Sequence, residues 1–174
     1  MKNIEITNNS LDSIKRAVDL LSKRISASTR LLPTYGIPQE DHPHIEQDSN
    51  GFHYVIVERG QETRRDTTRD LEELLYWIFE AITFEMAIEY ELQNRIEAQD
   101  SRRLTWKHQL DLLGVLDDSW RKRAEREIES ILRSYPYDDV ASIRARLTKE
   151  LRDEGYSPER AWEMACEKYP LPKS

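Results

Sequence analysis

The chain has 174 residues, 38% hydrophobic and 34% charged, with a net charge of −7. That size supports one cored domain with a thin interior, and the single cysteine, Cys166, excludes an internal disulfide framework and suits a reducing compartment. No stretch approaches the ~18 apolar residues of a membrane span, and residues 1–30 lack the apolar core of a signal peptide, so a cytoplasmic protein is expected.

In chain order, Leu11, Ile14, Val18, Leu21 and Ile25 recur at three- and four-residue spacing. This predicts a helix over about 10–27, with Ser10 or Asn9 as N-cap. Residues 30–43 hold three prolines and a glycine and predict an irregular connection anchored by Leu31, Leu32 and Tyr35. Strand chemistry follows as His44–Asp48, Phe52–Glu58 and Glu62–Thr67, separated by turns at Ser49-Asn50-Gly51 and Arg59-Gly60-Gln61. Asn-Gly supplies the positive φ of tight hairpins, so a small antiparallel meander over about 44–67 is expected. Phe52–Glu58 is apolar on both alternating faces and reads as its central strand.

Thr67 or Thr68 is a candidate cap for a long helix over about 68–98, with Asp70, Glu72 and Glu73 near its positive end. At 100° per residue its apolar arc, which includes Leu71, Leu74, Trp77, Ile78, Ile82, Tyr90 and Leu92, covers over half the circumference. That breadth marks a central helix. A second helical region over about 101–134 carries Leu104, His108, Leu112, Leu116, Trp120, Ala124, Ile128 and Leu132 at four-residue steps, with a kink or break signalled by Gly114 and Asp117-Asp118-Ser119. Asp138 is the expected cap of a helix over about 138–154, and Ser157-Pro158 opens another over about 157–169. The expected fold is α+β and mostly helical: one domain, 1–174, in which the meander packs against the long central helix.

Residues 70–100 hold nine carboxylates against Arg95 alone, whereas the segments before and after are nearly neutral. Such a local field attracts cationic partners and repels nucleic acid and anionic membrane. The plainer alternative is a solvated helix face. Phe84 falls on the polar arc among Glu73, Glu80 and Glu91, an aromatic anchor within a charged rim, unless another helix covers it. These four residues are the candidate partner-binding set.

Chemistry-bearing patterns are sparse. Asp41, His42, His44 and Glu46 contain metal-ligating types, but the intervening Pro43 gives them no fixed geometry, and His108 reads as a core histidine. Glu85 and Glu89, one turn apart near the apolar arc, are each expected to find an arginine, a polar partner or solvent, the candidate arginines being Arg64, Arg65, Arg102 and Arg103. No nucleophile motif, phosphate-binding glycine loop or zinc cysteine set occurs, so no catalytic residue, cofactor or metal is expected. The alternatives are a small metal-dependent or acid–base enzyme using Glu58, Glu85 and Glu89, and a homo-oligomeric adaptor.

The run Tyr54-Val-Ile-Val-Glu-Arg-Gly60, with Arg64-Arg65 and then Leu71-Glu-Glu-Leu-Leu-Tyr-Trp-Ile-Phe79, resembles the Immunity protein 63 family of bacterial polymorphic-toxin systems. Tyr90-Glu-Leu, Asp100-Ser-Arg-Arg103 and the Gln109 to Leu113 segment extend the likeness over about residues 30–135. The resemblance implies a cytoplasmic antitoxin, such as those of contact-dependent growth inhibition. It would bind a cognate toxin C-terminal domain and block it without catalysis. Neither nucleic acid nor membrane is implied as a partner, and a homodimer is compatible.

Overall fold

A computed structural model describes residues 10–36 and 42–172. Asn9, Asp41 and the rest of 37–41, named above, lie outside them. The described residues form a four-stranded sheet and six α-helices: β1 Thr34–Tyr35, β2 His44–Asp48, β3 Gly51–Glu58, β4 Gln61–Thr68, α1 Leu11–Arg24, α2 Leu71–Gln93, α3 Ser101–Leu116, α4 Asp118–Ser134, α5 Ala141–Asp153 and α6 Pro158–Lys168. Their contacts group into two compact units, the first running to Met86 and including Gln109–Lys122, the second comprising Ala87–His108 and the chain from Arg123 onward. The chain passes between the units inside α2, α3 and α4.

In the first unit α1 starts where a capping box closes: Ser10 and Ser13 exchange side-chain-to-backbone bonds, satisfying two otherwise orphaned amides. The helix buries Ile14, Ala17, Val18 and Leu21. The sheet order is β1-β2-β3-β4, with β2, β3 and β4 antiparallel and β1 parallel to β2 through Thr34 and Tyr35. The expected meander is therefore present, with β3 central. The connection at 30–43 also contains a strand that its prolines concealed.

Both hairpins turn on backbone that L-residues resist. Arg59 and Gly60 have φ of +51° and +73°, the paired positive angles of a two-residue primed turn. In the other hairpin the positive φ belongs to Gly51 alone and not to Asn50. A Cβ at Gly51 would lie 2.3 Å from the Thr68 carbonyl oxygen, so the strand crossing needs glycine there.

The first part of α2 is the unit's core element, burying Leu74, Leu75, Tyr76, Ile78, Phe79 and Ile82. It begins at Leu71, not 68, because the cap is Asp70: its Oδ1 accepts the Glu72 N–H at 2.9 Å, and Thr68 Oγ1 accepts the Asp70 N–H at 3.0 Å. Trp120 stacks on Phe79 with centroids 5.8 Å apart and meets the Tyr76 ring near its edge at 6.3 Å. Its Nε1–H donates to Glu72 Oε1 at 2.7 Å. The break between α3 and α4 falls at Asp117, whose Oδ1 accepts the Ser119 N–H at 2.7 Å, whereas Gly114 lies inside α3.

The second unit is organised by polar side chains. Asp100 accepts the backbone N–H groups of Arg102 and Asp138 at 3.0 and 2.8 Å, and the Arg102 guanidinium at 2.6 Å. Arg102 in turn donates to the carbonyls of Tyr135 and Pro136 just after α4 and lies over the rings of Trp106 and Tyr137. Burial would raise the Asp100 carboxyl, but these donors overcome it and hold it down at about 2. Asp138 does not cap α5, which starts at Ala141 without a side-chain cap. Its carboxylate is engaged by Arg144, a buried guanidinium that also donates to the carbonyls of Tyr169 and Pro170 beyond α6. Ser157 caps α6 as expected, with Pro158 at its first position. The apolar arc of α2 does not extend to its end, since Leu92 is 59% exposed; Tyr90 stacks on His108 at 4.1 Å.

Candidate functional site

β3 alternates Phe52, Tyr54 and Ile56 onto one sheet face. A bulge moves the β4 register by one residue: Ile56 pairs with Arg64 but Val57 with Glu62, leaving Thr63 unpaired. Arg64 and Asp66 therefore share the Tyr54 face. On α2, Ile78, Ala81, Ile82 and Glu85 recur at three- and four-residue spacing, with Glu80 and Phe84 beside them one turn apart. Between this sheet face and α2 lies a cleft of about 500 Å³, rimmed by Arg30, Pro33 and His42.

Glu58, Glu80 and Glu85 line the cleft with the aromatic rings of Tyr54 and Phe84. Arg64 also lines it, lying 5.1 Å over the Tyr54 ring while its Nε donates to Asp66 at 2.5 Å, so its charge is already answered. Tyr54 is 2% exposed. Burial pushes its phenol up to about 12, with Arg64 opposing and Glu80 reinforcing, so the hydroxyl stays neutral at physiological pH. That hydroxyl hydrogen-bonds none of the described residues, and among them neither Glu58 nor Glu85 has an ion-pair partner. The Gln109 amide donates to the Glu80 carbonyl at 3.2 Å, pinning this turn of α2.

The opposite sheet face is electrostatically closed. Arg65 donates to Glu46 at 2.7 Å and to Glu62 at 2.6 Å; both carboxyls are held below their usual range by that guanidinium. His44 Nε2 contacts Glu46 at 3.1 Å and His53 Nδ1 contacts Thr67 at 2.8 Å; His42, at the rim of the cleft, meets the Leu32 carbonyl. Among the described residues no group of three His, Cys, Asp or Glu is arranged to hold a metal ion. Nor is any helix there long and apolar enough to cross a membrane.

Residues 48–130 match the family model of Immunity protein 63. Over this stretch the chain is similar to the Immunity protein 63 family. No curated protein and no solved structure matches the chain. The family segment supplies both long walls of the cleft, from Tyr54 to Glu85, while Arg30, Pro33 and His42 precede it.

The four residues singled out in the sequence are distributed as follows. Glu80 and Phe84 line the cleft, Phe84 being 37% exposed. Glu73 is half-buried on α2 away from the cleft lining. Glu91 is 4% exposed in the second unit, where Arg95 grips it through two bonds of 2.9 and 2.8 Å and holds its carboxyl below the usual range. The spacing of Glu91 and Arg95, one helical turn, was the sequence signal for that pair.

None of the four candidate arginines pairs with Glu85 or Glu89. Arg64, Arg65, Arg102 and Arg103 are taken by Asp66, Glu46 with Glu62, Asp100 and Asp139. Each binds a carboxylate close in the fold rather than one on α2, and Glu85 instead faces solvent at the cleft. Of the acid–base trio, Glu58 and Glu85 share the cleft and Glu89 does not.

Proposed function

We propose that this protein binds and neutralises the toxin domain of a polymorphic-toxin or contact-dependent inhibition system in the cytoplasm of the producing cell. It acts by occlusion and without catalysis. The family match carries this reading. The acidic character of α2 supports a cationic partner surface, because complementary charge speeds encounter. Glu80 and Phe84, a carboxylate and an aromatic at one accessible cleft, are the contact residues of first choice. Glu73, half-buried on the same helix, is the next position to test, and Glu91, 4% exposed and held by Arg95, is tested last.

The experiment is co-expression with the toxin domain encoded beside the gene. Survival of cells carrying both genes, with a complex that co-elutes on size exclusion, is the expected outcome. Death despite stable expression, with no complex, refutes the proposal.

A further inference from the structure

Resting on the immunity reading, we propose that the cleft between the Tyr54 face of the sheet and α2 is a receptor for a single arginine side chain presented by the bound protein. Four observations converge on a guanidinium. The cleft already holds one: Arg64 lies over the Tyr54 ring, which shows that a planar cation is accommodated on this aromatic floor. Arg64 spends its charge on Asp66, so it does not neutralise the remaining carboxylates. Glu58, from the end of β3, and Glu85, from α2, approach the cleft from opposite walls, and neither has an ion-pair partner among the described residues. Finally, Tyr54 is 2% exposed, lines the cleft, and carries a neutral hydroxyl with no hydrogen-bond partner among the described residues.

A guanidinium presents five N–H donors in a plane. Entering the cleft, it can donate to Glu58 and Glu85 through different edges, offer a further N–H to the Tyr54 hydroxyl oxygen, and lay its face against Phe84. An ammonium has no plane to stack and a tighter hydration shell, so lysine fits less well. Neutral side chains leave both carboxylates unanswered. A volume of about 500 Å³ admits one such side chain with its solvent and not a folded segment. The immunity protein would thereby fix one basic residue of its partner while the surrounding surface covers the rest.

The test uses the full chain and Nα-acetyl-arginine amide as probe, followed by backbone amide NMR. Saturable shifts at millimolar probe are expected, confined to residues around Glu58, Arg64, Ala81 and Glu85. The E58Q/E85Q double variant, altered only at exposed positions, should bind the probe roughly tenfold or more weakly. Tyr54→Phe should weaken it less, and Nα-acetyl-citrulline amide, planar but uncharged, should give no cleft shifts. Absent shifts, equal shifts with citrulline amide, or undiminished binding by E58Q/E85Q overturns the assignment. These outcomes are separable from failure of the immunity reading: toxin capture without arginine binding rejects the cleft receptor alone. Cleft-confined arginine binding in a protein that neither captures nor neutralises the toxin upholds the receptor and rejects the immunity reading.

Discussion

Asp100→Asn isolates the charge at the centre of the second unit while keeping its shape. The wild-type carboxylate accepts two backbone N–H groups and the Arg102 guanidinium, and its side chain is 9% exposed. A carboxyl that titrates near 2 when folded, against 3.8 without these contacts, is favoured in its charged form by about 2.5 kcal/mol. Allowing for solvent around Arg102, whose side chain is 32% exposed, about 2 kcal/mol is expected at pH 7. The folded pKa is the lower one, so the stabilisation is complete above the unfolded value and disappears as pH falls through the folded value. About half should be gone by pH 3 and nearly all below about pH 2. Urea denaturation followed by tryptophan fluorescence, at pH 7 and pH 3, measures both quantities. A variant within about 0.5 kcal/mol of wild type at pH 7, or a difference that does not shrink at pH 3, refutes the reasoning.

Other substitutions probe other links. Trp120→Phe keeps the stacking on Phe79 but deletes the hydrogen bond to Glu72, so a loss of about 1–2 kcal/mol is expected in the same assay. Trp120→Ala should cost about 3–5 kcal/mol because a cavity is added. Gly51→Ala forces a Cβ into the Thr68 carbonyl at a φ of +140°; a fall in melting temperature of several degrees is expected, roughly 2 kcal/mol or more, and an unchanged melt would show that the hairpin tolerates another route. Glu80→Lys should lower the association rate with the toxin domain about tenfold at low ionic strength, with the difference closing at high salt. Stopped-flow or biosensor kinetics across a salt series checks it, and a salt-independent difference would assign the effect to shape instead of charge.

Much of the fold was legible because local chemistry and global packing agree. Ser10 and Ser157-Pro158 mark helix starts by satisfying orphan amides, and the two-faced apolar pattern of Phe52–Glu58 identifies a strand paired on both sides. Where the reading slipped, a longer-range partner had decided the matter. Asp138 has the chemistry of a cap, but Arg144 and the Asp100 carboxylate claim its side chain and N–H. β1 is two residues long between Pro33 and Gly36, and its pairing with His44 and Ile45 depends on a return of the chain that no periodicity encodes. The candidate site was legible only in part. The i, i+4 spacing of Glu80 and Phe84 put them together on α2. Their meeting with Glu58 and Tyr54 depends on tertiary packing, and the exit of Arg64 onto the same face depends on the bulge at Thr63, which nothing in the composition of β4 announces.

The central claim is direct capture of a toxin domain by this protein. The measurement that addresses it is the mass, by light scattering, of the purified protein mixed with the catalytically inactivated toxin domain encoded next to it. The account predicts a stoichiometric complex that wild-type protein forms and that Glu80→Lys combined with Phe84→Ala weakens. Two separate species at micromolar concentrations, with the wild-type protein fully folded, would contradict it.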